Sequence, residues 1–265
     1  MKIFPISDIH PALWHPMQKY WRYNFKFLED IDVMCIAGDA GEPITNIVLL
    51  TQLLLEFPKL EIVYVPGNHD FYGMNIDRAL EEYIWADYSL ERLHLLTGYQ
   101  YSAWEYNDFV FIGGTLWTDF CKGKPYIMNE VQKGLHDYDE IMSGKDRKLI
   151  TTNRILNEHN TQKKFIFKYL NKYPNKRRIV VTHHKPYLRD CITEGLTYGY
   201  EVDMTSDFNE CANLPEVWIS GHTHISEWKE KSFEHGSVLF VSNQFGYPSE
   251  DPAQTGFHKD CIIEL

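Results

Sequence analysis

The chain is 265 residues long, with 44% hydrophobic and 24% charged side chains, proportions that are ordinary for a globular protein. Its 26 basic and 37 acidic side chains give a formal net charge of −11. This charge argues against a protein that coats nucleic acid through bulk electrostatics, because such binding needs Lys and Arg to displace counterions. It leaves open an anionic ligand that is held locally.

The cysteines and the apolar segments bear on the cellular compartment. Five cysteines lie far apart, their number is odd and no CxxC pair occurs, which favours a reduced, cytoplasmic chain over a disulfide scaffold. No stretch reaches the roughly 18 apolar residues that a membrane span needs, so we expect no membrane partner. The cysteines are Cys35, Cys121, Cys191, Cys211 and Cys261.

Short apolar runs alternate with amphipathic stretches in the first third of the chain. This βαβαβ rhythm favours a sheet with helices on its outer face. We expect a strand over Lys2–Ser7, a helix over Met17–Glu29, a strand over Val33–Ala37, a helix from Pro43 to Phe57, a strand over Glu61–Val65 and a helix over Met74–Trp85.

The remainder of the chain is less regular. We expect a hairpin of Tyr101–Tyr106 and Phe109–Gly113, a short helix over Ile127–Gly134, a long helix over Lys148–Tyr173 with Leu149 on its buried side, a strand over Arg178–Thr182, a loop or flap over Leu188–Asn213, a strand over Glu216–Ser220, and final antiparallel strands over Ser226–Lys229, Val238–Ser242 and Lys259–Glu264. No linker or repeat interrupts the chain, so residues 1–265 are expected to form a single domain.

Five short polar islands stand out, and four of them directly follow an apolar run. They read Asp8-Ile9-His10, Gly38-Asp39, Gly67-Asn68-His69-Asp70, His183-His184 and Gly221-His222-Thr223-His224. Three of the islands begin with a glycine, which suits a sharp turn with positive φ or a close backbone approach. Because open sheets bind ligands outside the carboxyl ends of their strands, we expect the islands to converge.

The side chains of the islands are typical metal ligands. Carboxylate, amide and imidazole donors without cysteine suit hard or borderline divalent cations. Taken alone, Asp8 and His10 fit a turn-capping carboxylate and a surface histidine, and Asn68 fits an Asx turn. The joint occurrence of the islands instead predicts one site for two metal ions, a site that indicates hydrolysis of a phosphate ester.

The order of the islands, DxH, GD, GNHD, H and GHTH, resembles that of the calcineurin-like metallophosphoesterase superfamily, in particular its small bacterial and phage-type members. The motifs extend from residue 8 to residue 224, and GNHD and GHTH are specific signals individually. The resemblance implies an α/β fold, a four-layer α/β/β/α sandwich with the dimetal site at the strand ends.

The resemblance also implies roles for the residues of the motifs. Asp8, His10 and His224 would bind the first ion, Asn68, His183 and His222 the second, and Asp39 would bridge both. His69 matches the general acid or transition-state stabiliser, and Asp70 would fix this histidine or its loop.

The same logic implies a cofactor and a reaction. Two divalent cations, with Mn²⁺ favoured and Fe²⁺, Zn²⁺, Ni²⁺ or Mg²⁺ as alternatives, would hold a hydroxide that attacks phosphorus. His69 would assist the leaving oxygen as a positioned acid.

Two departures from relatives limit the substrate. Gly38–Pro43 lacks the arginine of the GDxxDRG pattern of phosphoprotein phosphatases, which disfavours a phosphoprotein. Ser242–Pro248 is similar to an Asn-Pro-Arg-Gly-Tyr-like turn but also lacks the arginine. We expect a small phosphomonoester or phosphodiester, with nucleotides among the candidates. The alternatives are a nuclease or nucleic-acid end-processing phosphatase and, in another class, a non-catalytic binding scaffold. The oligomeric state stays open.

Other residues have ordinary interpretations. His184 is either a neighbour of a ligand or a substrate contact. The aromatic residues Trp14, Tyr20, Trp21 and Tyr23 favour core packing over base stacking, because they lie near helical spacing. A basic run near a helix end is typical of a solvated face and also suits the helix dipole, with nucleic-acid binding as the less favoured alternative. It comprises Lys163, Lys164, Lys172, Lys176, Arg177 and Arg178.

Overall fold

The computed structural model describes residues 1–11, 25–99, 103–188, 195–247, 249–250 and 252–265. Most of the helix expected over Met17–Glu29 lies outside these ranges, together with the aromatic residues Trp14, Tyr20, Trp21 and Tyr23. Residues 101–102 of the expected hairpin and residues 189–194 of the expected flap also lie outside them.

Strands and helices alternate along the described chain. The strands are β1 (Lys2–Ile6), β2 (Val33–Ala37), β3 (Glu61–Val65), β4 (Leu93–Leu95), β5 (Ala103–Tyr106), β6 (Phe109–Gly114), β7 (Met142–Ser143), β8 (Lys148–Leu149), β9 (Arg177–Thr182), β10 (Val217–Ile219), β11 (Glu227–Phe233), β12 (Gly236–Ser242) and β13 (Ile263–Glu264). The helices are α1 (Pro43–Glu56), α2 (Ile76–Ser89), α3 (Pro125–Gly134), α4 (Asp137–Glu140), α5 (Thr152–Lys172), α6 (Thr205–Glu210) and α7 (Pro252–Thr255). Single helical turns occur at Lys26–Asp30, His69–Phe71, Phe120–Gly123 and Gly195–Gly199.

Two sheets form the centre of the molecule. The first has five strands in the order β13-β1-β2-β3-β4, and the second has six in the order β11-β12-β10-β9-β6-β5. Strands β1 to β4 are mutually parallel, as are β6, β9, β10 and β12 in the second sheet. The edge strands β13, β11 and β5 are antiparallel to their neighbours.

Three hydrophobic cores separate four layers. Side chains alternate along a strand, so neighbouring residues face opposite sides of a sheet. Ile3 of β1 lies in the core between the two sheets, whereas Phe4 packs with α1 and α2 on the outer face of the first sheet. Ile179 of β9 faces the first sheet, and Val180 packs with α5 on the other side. This arrangement confirms the expected α/β/β/α sandwich.

Capping explains where two helices begin. The side chain of Asn75 accepts a hydrogen bond from the amide of Asp77 at 3.0 Å, and α2 begins at Ile76. The expectation of a helix from Lys148 was wrong, because Thr151 caps α5 by accepting from the amide of Arg154 at 3.2 Å. Lys148 and Leu149 instead pair with β7, which leaves Leu149 50% exposed.

Two further expectations need correction. The segment expected over Lys259–Glu264 contributes only β13, which pairs with β1 in the first sheet rather than with the strands that precede it. The described part of the expected flap is anchored at three positions, since Val202, Met204 and Phe208 are buried against the second sheet. Apolar side chains in this irregular stretch therefore hold it to the core.

Candidate metal centre

The turns that follow five parallel strands meet at one edge of the two sheets. The turns after β1, β2 and β3 come from the first sheet, and the turns after β9 and β10 come from the second. The structure brings the expected ligands together at this edge: Asp8, His10, Asp39, Asn68, His183, His222 and His224. His69 lies beside them.

The donor atoms form three overlapping groups, in each of which the atoms lie within 4.8 Å of one another. The groups are Asp8 with His10 and His224, His10 with Asp39 and His69, and Asp39 with His183 and His222. Because His10 belongs to the first two groups and Asp39 to the last two, the donors form a continuous row rather than a single cluster.

One end of the row combines Asp8, His10 and His224. The Nε2 atom of His224 lies 3.5 Å from Oδ1 of Asp8 and 3.4 Å from Nε2 of His10. Nδ1 of His224 lies 2.6 Å from Oε2 of Glu250, which orients the ring with Nε2 toward the other donors. Burial opposes a charged imidazole here, yet the carboxylates of Asp8 and Glu250 raise the pKa of His224 to about 9. A positive charge is therefore favoured at this end.

The other end of the row combines Asn68, His183 and His222. Nε2 of His183 lies 2.9 Å from Oδ1 of Asn68 and 3.0 Å from Nδ1 of His222. Nδ1 of His183 donates to the carbonyl of Ala37 at 2.9 Å, so its Nε2 carries the lone pair. Burial lowers the pKa values of His183 and His222 and so favours the neutral form of both rings.

Several hydrogen-bond acceptors therefore face one another at this end of the row, with too few hydrogen atoms to pair them all. Nε2 of His183 faces both the carbonyl oxygen of Asn68 and, at 3.5 Å, Oδ2 of Asp39. A divalent cation satisfies such converging acceptors, and nitrogen and oxygen donors are those that Mn²⁺, Fe²⁺ or Zn²⁺ accept. The residues present therefore fit a metal ion.

Asp39 occupies the middle of the row. Its Oδ2 lies 3.8 Å from Nε2 of His10 and 3.5 Å from Nε2 of His183, so it faces both ends. Its Oδ1 accepts a hydrogen bond from the amide of His69 at 2.9 Å. Burial and the neighbouring carboxylates of Asp8 and Asp70 raise the pKa of Asp39. Nearby cations would oppose that rise and keep the carboxylate ionised.

The backbone at the site is strained. Five of the expected ligands have positive φ although they are not glycine: Asp8 (56°), His10 (45°), Asp39 (52°), His222 (72°) and His224 (52°). Such conformations cost free energy and concentrate at functional sites. Gly38 has the expected positive φ of 85°. At Gly67 the reason is close approach instead, because a Cβ there would lie 2.2 Å from Oδ1 of Asp39.

Asp70 lies behind the loops rather than in the cleft. It is fully buried, and it accepts hydrogen bonds from the amides of Asp39, Gly41 and Gly67 at 2.8, 3.1 and 2.6 Å. A fourth bond comes from Nδ2 of Asn46 at 3.1 Å. Burial raises the pKa of Asp70 to about 6, against the effect of these donors. Its carboxylate therefore ties together the turns that carry the ligands.

The ring of His69 faces a cleft of about 410 Å³. It stacks on Tyr72 with the ring centroids 4.1 Å apart, and its Nε2 lies 3.1 Å from Oη of Tyr247. Burial and the neighbouring imidazoles lower the pKa of His69 to about 4. Besides ligand residues, the lining of the cleft includes Tyr72, Leu135, Asp137, Glu140, Tyr200, Tyr247 and Glu250.

Sequence reasoning missed several of these residues. Tyr247 lies in the turn that was compared with relatives, so a signal for it existed, but its hydrogen bond to His69 could not be inferred. Asp137 carried no signal, because it belongs to no motif and the short helix that it opens has no periodic pattern in the sequence. His184 is not a cleft residue: it is 1% exposed, and its ring packs between Trp117 and His222.

Within the described ranges, no helix combines the length and apolar character needed to cross a membrane.

The sandwich and the converging carboxylate and imidazole donors define a metallophosphoesterase. The family model named calcineurin-like phosphoesterase matches residues 1–226, and the chain belongs to this family. It is therefore a phosphoric ester hydrolase that depends on metal ions, and the family implies a dinuclear centre of divalent cations.

Individual relatives agree with this family. An uncharacterized protein from Acanthamoeba polyphaga mimivirus is 27% identical over 272 residues, which cover 94% of this chain and 89% of that protein. The solved phosphopantetheinyl hydrolase from Mycobacterium tuberculosis superimposes with a TM-score of 0.66 at 16% identity, covering 93% of this chain and 90% of that one. A dimetal phosphatase from Danio rerio gives a TM-score of 0.50 at 11% identity, covering 96% and 90%. At these identities the solved structures support the fold alone.

Proposed function

We propose that the chain hydrolyses small phosphate esters at two divalent cations that share Asp39. One cation would be held by Asp8, His10 and His224, and the other by Asn68, His183 and His222. The observation that carries the proposal is the position of Asp39, whose Oδ2 faces Nε2 of His10 at 3.8 Å and Nε2 of His183 at 3.5 Å. Mn²⁺ is the metal we would test first, and Fe²⁺ and Zn²⁺ accept the same oxygen and imidazole nitrogen donors.

The chain's own side chains would orient the reaction. When bound, a pair of divalent cations supplies an activated water and neutralises the phosphoryl oxygens. His69 lies on the cleft wall next to the shared carboxylate, where it would hydrogen-bond or protonate the leaving oxygen. Asp70 would act through the backbone, because it holds the amides of Asp39 and Gly67 and does not reach the cleft.

The substrate we propose is small. The cleft holds about 410 Å³, and no lysine or arginine lines it among the residues that the structure describes. The negative charge of a phosphate would then be met mainly by the cations. The aromatic rings of Tyr72, Tyr200 and Tyr247 provide surface for the organic part of the ester.

The basic run does not favour nucleic acid. Lys176 pairs with Glu105 at 3.3 Å, and Arg177 pairs with Glu216 at 2.7 Å. Arg178 donates to the carbonyl of Leu214 at 3.2 Å. These contacts pair Lys176 and Arg177 with carboxylates and Arg178 with the backbone, so a nuclease remains the less favoured alternative.

A substrate panel tests the proposal. Mn²⁺-loaded protein would be assayed with a monoester, a diester, cyclic nucleotides, a phosphopantetheinyl ester and single-stranded DNA. We expect turnover of at least one small ester and little or none by Asp39→Asn, because that variant loses the shared carboxylate. Turnover of none of these compounds by the wild type would favour the binding scaffold. Equal turnover by Asp39→Asn would show that the activity does not depend on the shared carboxylate, which would overturn the proposed site.

A further inference from the structure

A buried carboxylate that belongs to none of the motifs is hydrogen-bonded to a residue of the candidate metal centre. Asp137 opens the short helix α4 and is 5% exposed. Its Oδ1 accepts two hydrogen bonds, from Nδ2 of Asn68 at 2.7 Å and from Oη of Tyr72 at 2.7 Å. One oxygen atom therefore contacts both an expected metal ligand and the residue that stacks on His69.

The first hydrogen bond decides which end of the Asn68 amide faces the centre. An amide has an oxygen that accepts and a nitrogen that donates, and a metal ion binds only the oxygen. Oδ1 of Asp137 accepts from Nδ2 of Asn68 and also from Oη of Tyr72, so this oxygen pairs with the amide nitrogen and disfavours the flipped rotamer. In the observed orientation, Oδ1 of Asn68 lies 2.9 Å from Nε2 of His183, on the side where a cation would bind.

The second hydrogen bond acts on the cleft wall. Tyr72 donates to Asp137, and its ring lies against His69 with an interplanar angle of 24°. A stacked ring whose hydroxyl is anchored leaves His69 less room to turn than a free ring does. The same carboxylate thus restrains both the ligand and the histidine.

We propose that Asp137 is a positioning residue that holds Asn68 with its oxygen toward one cation and, through Tyr72, holds His69 against the cleft. This inference rests on the proposed ligand role of Asn68. Partners of metal ligands typically change metal affinity about 10- to 100-fold when they are replaced.

Mn²⁺ binding without substrate provides the test. Equilibrium dialysis would give the affinities of both ions for the wild type, Asp137→Leu and Asp137→Asn, with Asp139→Asn as an exposed neighbouring control. We expect Asp137→Leu to weaken one ion about 10- to 100-fold and to leave the other within about twofold. Asp137→Asn should weaken the same ion less, because its remaining oxygen can still accept. Asp139→Asn should match the wild type.

Tyr72→Phe tests the hydrogen bond between Tyr72 and Asp137 separately from the one to Asn68. It keeps the ring that stacks on His69 but loses the hydroxyl, so both Mn²⁺ affinities should equal those of the wild type while kcat falls. An unchanged kcat would remove Tyr72 from the proposal.

The outcomes distinguish a failure of the proposed function from a failure of the role of Asp137. A wild type that binds fewer than two ions contradicts the proposed function itself. A wild type that binds two ions, with both Asp137 variants unchanged, contradicts only the role of Asp137. Equal weakening of both ions in parallel with a lower Tm would make Asp137 a general stability residue and would also overturn the proposal.

Discussion

His69 is the residue whose role can be tested most directly. Its ring is the one expected to act on the leaving oxygen, and a positioned acid contributes about 10²- to 10⁴-fold to rate. We therefore expect His69→Ala to lower kcat by that factor while the Mn²⁺ content stays at the wild-type value. Steady-state kinetics and metal analysis of the same preparation measure both quantities.

The competing role for His69 is that of an additional metal ligand. His69 forms a donor group with His10 and Asp39, so geometry alone allows it to bind metal. Loss of metal together with activity in His69→Ala would show that it is a ligand. His235→Ala, at an exposed turn between β11 and β12, is the matched control and should keep both activity and metal.

At this scale, the motif residues were recognisable because each type is chemically distinctive and follows a strand. The sequence order of Asp8, Asp39 and His224 sufficed to place them in one site. Asp137 and Tyr72 were not recognisable, because an aspartate and a tyrosine at irregular spacing have many ordinary uses. Their roles depend on tertiary contacts that no local pattern encodes.

Among the elements, the turns at the strand ends hold the expected metal ligands. Little space for a side chain is left at Gly67, which lies in one of these turns. A Cβ at this position would lie 2.2 Å from Oδ1 of Asp39 and 2.8 Å from Cε1 of His183. We expect Gly67→Ala to displace Asp39 and to weaken Mn²⁺ binding at both ends of the row, since that carboxylate is shared. Calorimetric titration with Mn²⁺ measures the change.

Gly73→Asn is the control for Gly67→Ala. Gly73 also lies in a turn after β3, has a φ of 71° that asparagine tolerates, and has no atom within 4 Å of an added Cβ. This variant should bind both ions normally. Wild-type binding by Gly67→Ala would mean that the turn relaxes without moving Asp39.

The predictability of the elements followed their local signals. The parallel strands β2 and β3 were placed correctly because they are continuous apolar runs of the kind found in buried strands. The start of α5 was misplaced because Leu149 fits a helical pattern, whereas the Thr151 cap and the pairing with β7 decide the boundary. The pairing of β13 with β1 joins residues more than 250 positions apart, which no short-range pattern can indicate.

For the whole molecule, both sheets contribute to the centre and to one shared core. Val33 of the first sheet and Val217 of the second lie in the same hydrophobic cluster. We propose on this basis that residues 1–265 form a single domain. We expect such a domain to unfold in one cooperative step, because residues of both sheets pack in the same core.

Metal binding should therefore stabilise the molecule as a unit. The cations would bridge Asp39 and Asn68 of the first sheet to His183 of the second, and they would bind the folded state only. At a free concentration 100 times Kd, a ligand adds about 2.7 kcal/mol to the free energy of unfolding. For a chain of this size that corresponds to a Tm increase of about 5–10 °C for each ion.

Calorimetric scans with EDTA and with Mn²⁺ measure this shift. We expect one transition in each scan, with the higher Tm in Mn²⁺, and a smaller shift for Asp39→Asn because the shared ligand is lost. Two separate transitions would contradict the single domain. A Tm shift of equal size in Asp39→Asn would mean that the ions bind elsewhere. Only ions that are bound by Asp39 should stabilise the variant less than the wild type.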